Sequence, residues 1–335
     1  MATTSSSPNS SPTASATSPT TRTAYPALAH ASPLRLALGF LVIYVVWGST
    51  YLAIRWGVET IPPFILASTR FLTAGTLMYA FTRWRGAKAP TLLEWRNSAI
   101  VGTMLLFVAN GTVSWSEQRV ASGMASLIVA TVPLWLVLCE VVQGHRPGIA
   151  KWAGVAIGLV GVGLLVAPAN GQWANAAIDP VGAAALAVGA LSWTVGSLYS
   201  RTAKLAQPAA LAISMQMLTG GTLLLILSLV TREWDGFHLA NVSSASLLSL
   251  AYLVVFGSLI GFSTYMWLLT VATPTAVGTY AYVNPVVAVL LGVVLAGEHV
   301  PPQAMLATLV IVSGVAMVSV GGKLSRRRAG GTATT

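Results

Sequence analysis

Apolar residues gather into ten runs along this chain, at 36–54, 64–81, 98–115, 123–142, 152–167, 181–199, 209–230, 247–269, 275–296 and 305–320. Short polar connectors separate them. About 20 mostly apolar residues, rising about 1.5 Å apiece, cross a hydrocarbon core roughly 30 Å thick. In such a core every backbone polar group must be paired within its own segment, which a helix achieves. The pattern predicts an all-α integral membrane protein with ten transmembrane helices.

Five of these runs repeat the other five. The segment Leu72-Thr-Ala-Gly-Thr-Leu77 recurs 146 places later as Leu218-Thr-Gly-Gly-Thr-Leu223. The same offset maps Trp47 onto Trp193, Leu52 onto Leu198 and Arg55 onto Arg201. Further on the offset becomes 152, mapping Thr112 onto Thr264, Trp115 onto Trp267 and Pro133 onto Pro285. Biased membrane composition matches Leu, Gly and Ala by chance, but not Trp and Pro at constant spacing. Since five is odd, the second group enters the membrane from the opposite side, which makes two inverted five-helix repeats.

Charge sets the orientation. With the N-terminus in the cytoplasm, 14 Lys and Arg residues lie inside, against Arg55, Arg119 and Arg232 outside and Arg70 within a helix. Basic residues are held back on the cytoplasmic side, so both termini are expected there, in a multi-pass protein of the inner (cell) membrane. With 55% apolar and 8% charged residues, the chain cannot cover a soluble globule with polar surface. The net charge of +10 is spread over short loops beside anionic headgroups, which points to membrane lipids rather than nucleic acid as partners.

The organisation expected is a disordered N-terminal tail at 1–33, a first repeat at 34–168, a second at 179–322 and a basic disordered tail at 323–335. The first tail is Ser, Thr, Pro and Ala, with too little apolar surface to offset its ordering entropy. Cys139 is the single cysteine, so an internal disulfide is impossible. An inverted repeat suits a secondary transporter, in which two similar bundles rock about a site near the membrane midplane. Small residues, Gly154, Gly158, Gly161 and Gly163 in helix 5 and Gly292 and Gly314 in helices 9 and 10, allow close helix packing.

Particular motifs carry a family resemblance. Trp47-Gly-Ser-Thr-Tyr51, Pro62-Pro63 and Thr69-Arg70-Phe71 resemble the opening of EamA-type transporters of the drug/metabolite transporter superfamily. Ser122-Gly123, Ala125-Ser126, Pro133 and Gly144 resemble its fourth helix, and Asn284-Pro285 with Gly297-Glu298 the matching piece of the second half. The resemblance spans roughly 36–322 and implies two EamA-like repeats and transport of small metabolites, often outward. Gly144-His145-Arg146 departs from the family's Gly-Glu at that point.

Residues that shape a cavity are expected among aromatics and amides. Trp47 and Tyr51 share a face of helix 1, Asn110 and Ser114 a face of helix 3, and Tyr280 and Asn284 a face of helix 9. Tyr265 adds a hydroxyl from helix 8. All seven are substrate-binding candidates, with core packing as the alternative for the aromatics. A charge at mid-membrane costs about 2.5–3.5 kcal/mol, so each asks for a reason. Arg70 either holds a substrate carboxylate or bonds to carbonyls and snorkels. Glu117 either titrates and couples protons or is an interfacial residue neutralised by Arg119. Glu298 reads as a cap or loop contact. Pro133 and Pro285 free the carbonyls of Val129 and Ala281 and kink their helices.

The four histidines are scattered over tails and loops, so no metal site is expected. GxxxxGK[ST], HExxH and GxSxG are absent from the sequence, which points away from an enzyme and offers no cofactor site. The reading is export of a small metabolite, amino acid or drug-like solute by alternating access, with proton coupling open. The few charges favour a neutral, zwitterionic or aromatic solute. A non-transporting scaffold or sensor is the alternative, and substrate, direction, coupling ion and oligomeric state are not readable from the residues.

Overall fold

The structure is a computed structural model that describes residues 31–142, 144, 147–166, 179–272, 277–298, 302–303, 305–314 and 316–317. Among these residues it is helical and contains no strand. The helices are α1 (Pro33–Gly57), α2 (Pro63–Trp84), α3 (Leu92–Ser116), α4 (Ser122–Val129 and Val132–Val142), α5 (Ile149–Val166), α6 (Pro180–Thr202), α7 (Ala209–Val230), α8 (Ser244–Leu268), α9 (Tyr280–Ala296) and α10 (Met305–Gly314). Seven are long and apolar enough to span a bilayer, and α5, α9 and α10 are shorter apolar helices. Of the tails expected at 1–33 and 323–335, only 31–33 fall among the described residues; there Ser32 accepts from the Arg35 amide and starts α1. His145 and Arg146, the side chain of Glu140, and the junction at 167–178 lie outside them.

Local chemistry sets the helix ends. Pro62-Pro63 start α2, since a proline in the first turn forfeits no helical bond. Thr91 and Glu94 form a reciprocal capping box at the start of α3. Asp179 caps α6 through the amides of Val181 and Gly182, at 3.1 and 3.3 Å. Two further caps cross between the halves. Glu233, in the α7–α8 loop, accepts from Phe64 N at 3.2 Å and Ile65 N at 2.9 Å at the start of α2. Glu298, just past α9, accepts from Ser122 N at 3.0 Å, Ser122 Oγ at 2.9 Å and Gly123 N at 3.4 Å at the start of α4. Gly297, with φ +62°, turns the chain for this, and Gly292 leaves the carboxylate its space.

Helices related by the repeat meet one another. α2 and α7 form the most extensive contact, and α4 packs on α9. Gly75 and Gly221, 146 apart, lie in the α2–α7 seam, where an added Cβ on either would come within 3.1 Å of the opposite backbone. Gly314 of α10 crosses α5 at Gly154 and Gly158, and Gly161 meets Ile311, so three of the four helix-5 glycines serve close packing while Gly163 faces open space. Gly102 of α3 abuts the Gln216 carbonyl and the Thr219 hydroxyl of α7. Gly102→Ala is expected to cost about 1–3 kcal/mol through this overlap, read as a lower melting temperature of the detergent-purified chain. Gly163→Ala, with nothing among the described residues within 4 Å, serves as the neutral control.

Pro133 and Pro285 act differently. α4 breaks at Ala130–Thr131, just ahead of Pro133, whereas α9 runs continuously through Pro285. α3 and α8 share another departure from regular α-helix: each widens into π-helical turns, at Thr103–Asn110 and Leu253–Phe262. These segments are repeat mates at the 152-residue offset, and both border the central cavity.

Candidate functional site

The cavity sits among α1, α2, α3, α4, α6, α8 and α9 and encloses about 750 Å³ of empty space including its mouth. Trp47, Tyr51, Asn110, Tyr280, Asn284 and Arg70, all singled out by the sequence, line it together. Ser114 and Tyr265 do not. Ser114 is buried away from the cavity, and Tyr265 lies beneath Trp47 in a packed aromatic cluster.

That cluster forms one wall. Trp47 stands 5.8 Å from Trp193 and 5.4 Å from Tyr280, both edge-to-face, and 4.8 Å from Tyr265. Edge contacts of this kind suit the quadrupoles of aromatic rings. Gly48 draws α1 against Val287 and the Asn284 carbonyl on α9, and Gly261 leaves room for the Trp47 indole nitrogen. The sequence signal that finds Trp193 is its 146-residue offset from Trp47; the two repeat mates touch.

The amides are partly committed to backbone. Asn110 Nδ2 donates to the Leu105 carbonyl at 2.8 Å, five residues back within the π-helical segment. Asn284, in the orientation that suits its neighbours, donates to the carbonyls of Tyr44 and Tyr280, each at 3.3 Å. Arg70 is 6% exposed; its Nε donates to Ser258 Oγ at 2.8 Å, and its guanidinium lies 4.8 Å from the Phe71 ring centroid. Ser258 and Gly257, on the π-helical part of α8, carry no sequence signal that marks them as cavity residues.

Glu117 occupies a separate position at the end of α3. It is fully buried, and among the described residues neither carboxyl oxygen has a hydrogen-bond partner. Burial pushes the Glu117 carboxyl well above the usual carboxylate range, Glu298 adds to the rise, and Arg55 opposes it. The Arg55 guanidinium bonds to the Glu117 backbone carbonyl. Arg119, the neutralising partner considered from sequence, instead pairs with Asp179 at 3.5 Å and stacks 4.1 Å over the Trp115 ring. Near Glu117 a polar vestibule opens to the surface, about 590 Å³ counted with its open mouth, lined by Arg55, Glu59, Gln118, Arg119 and Glu298 among others. Among the described residues no cluster of His, Cys, Asp and Glu is placed to hold a metal.

Comparison with known proteins bears on this arrangement. The EamA-like transporter family matches residues 34–167 and 180–320. The chain is 40% identical over 282 residues to the inner membrane transporter YedA of Escherichia coli (strain K12), covering 83% of this chain and 89% of that one. It is 29% identical over 307 residues to the probable terminal-alkyne amino-acid exporter of Streptantibioticus cattleyicolor, covering 89% and 98%. A solved crystal structure superposes with a TM-score of 0.60 at 24% identity, covering 88% of this chain and all but 1% of that one, which speaks to the fold.

Proposed function

The chain belongs to the EamA-like transporter family, and from that premise we propose that it exports a small solute across the inner membrane by alternating access at the central cavity. The carrying observation is that six candidates from four helices and both repeats converge on one cavity near the middle of the bundle. The two repeats, 34–168 and 179–322, are the rocking units. Trp47, Tyr51, Asn110, Tyr280 and Asn284 contact the solute directly. Tyr265 supports Trp47 from behind, and Ser114 belongs to the packing of α3. The basic bias of the connectors supports cytoplasmic termini. The name of the Streptantibioticus cattleyicolor relative supports outward transport.

Glu117 couples transport to protons. A buried carboxyl without a partner among the described residues favours its neutral form, and its electrostatic neighbours are Tyr51, which lines the cavity, and Arg55 and Glu298, which line the vestibule. Release of its proton then accompanies opening of that end to water.

Access is measured with cysteines at Ala109 and Val113, on the cavity wall, after Cys139 is replaced. In oriented vesicles, labelling from each face in turn, with the balance shifted by added solute, is the expected result. Labelling from one face under every condition would instead support a fixed scaffold or sensor.

A further inference from the structure

We propose that the central cavity selects a solute with one negative charge on an apolar body, and that Arg70 receives that charge. The inference rests on the transport reading of the same cavity and adds the class of solute. Among the described residues that line the cavity, Arg70 alone carries a full charge. Around it the wall is apolar and aromatic, with the hydroxyls of Thr50, Tyr51, Ser258 and Tyr280 and the amides of Asn110 and Asn284. Among the described residues no carboxylate lines the cavity, so an ammonium group would meet no counter-charge from them. That shifts the expectation from a neutral, zwitterionic or aromatic solute to a monoanion.

The state of the guanidinium carries the argument. It has five N–H donors, and among the described residues the hydrogen bond it makes is from Nε to Ser258, with the Phe71 ring centroid 4.8 Å from its carbon. Among the described residues Arg70 makes no ion pair. Its terminal nitrogens nevertheless lie along α8, where Gly257 has no side chain: a Cβ there would stand 2.9 Å from Nη2. A buried charge that is unpaired asks for a partner, and a planar guanidinium is shaped to hold a carboxylate through two parallel bonds. A purely structural Arg70 would direct its donors to helix carbonyls, as Asn110 does. A single cation also excludes polyanions, since each further charge would be buried uncompensated.

The test uses the full chain in detergent and three probes that share a body: 3-phenylpropanoate, its uncharged amide and 3-phenylpropylamine. Affinities from calorimetry are expected in the order anion, amide, amine. Arg70→Gln should weaken the anion by about 30-fold and leave the amide within about threefold, as expected for loss of bonds to a charged group. Gly257→Ala, which crowds Nη2 but keeps the charge, should also weaken the anion selectively. A structural role alone would lower stability without changing the charge preference. Equal affinities in the wild type, a preference for the amine, no binding of any probe, or an Arg70→Gln variant that keeps the preference would each overturn the proposal. The wild-type order decides even where a variant fails to fold. Vesicle flux separates this from the transport reading. Flux of a cation that depends on Trp47 leaves transport standing and removes the monoanion. Anion binding without flux of any solute does the reverse.

Discussion

Trp47→Ala is expected to abolish solute binding and to lower stability by about 3 kcal/mol, the lower end of the range for removing a large aromatic from a packed site. Its ring touches Trp193, Tyr265 and Tyr280 at once, so truncation opens the aromatic wall toward three helices rather than one. The neighbours cannot close the gap easily, because Gly48 already holds α1 tight against α9. Trp47→Phe retains a ring and should keep part of both properties. The measurement is a thermal melt with and without solute. At 100 times its dissociation constant a ligand adds about 2.7 kcal/mol to the wild type, and the alanine variant should gain nothing. Full stabilisation of that variant by solute would remove Trp47 from the binding site.

Glu117→Gln is the second large effect, and its sign follows from the raised carboxyl. With a folded pKa above the unfolded value, the protonated form is favoured on folding. That contribution is complete below the unfolded pKa of about 4.3 and is lost as pH rises through the folded value. The wild type should therefore melt progressively lower as the solution becomes more basic through that window. Glutamine keeps the shape and stays neutral, so the variant should show a flatter profile and be at least as stable at the basic end. Tyr51 and Arg55 on α1 and Glu298 after α9 face this group and set its field. In vesicles, solute movement driven by a pH gradient should fall by about tenfold or more in the variant, in line with loss of a proton-transferring group. Unchanged pH-driven flux would rule Glu117 out as the coupling residue.

What could be read from the residues was whatever repeats or costs energy. Ten runs, the 146- and 152-residue offsets and the family motifs anticipated the architecture, because hydrocarbon imposes length and apolarity on every span. Arg70 stood out since a charge at that depth is expensive, and Glu117 as an acid at the outer end of its helix. The shared-face rule placed Trp47 with Tyr51 and Tyr280 with Asn284, but it also paired Ser114 with Asn110. Asn110 and Val113 line the cavity and Ser114 does not, so the wall follows the i, i+3 edge of that face, which the i, i+4 spacing alone does not single out. Tyr265 was unreadable for a different reason: a tyrosine that supports a wall and one that forms it look alike in sequence. Ser258 and Gly257 are ordinary in composition and matter through what they leave room for. Matching prolines do not sit in matching helices: α4 is interrupted just ahead of Pro133, whereas Pro285 lies within a continuous α9.

The two carboxylates that close the starts of α2 and α4 come from beyond α7 and α9. This has a consequence for biogenesis. A ribosome that has released only the first five spans has placed helices in the bilayer whose N-terminal amides still await Glu233 and Glu298. The early half must wait, incompletely tied, for the late half to be inserted. Assembly is thereby timed by the order of synthesis, and the finished bundle is sealed from its C-terminal half backward.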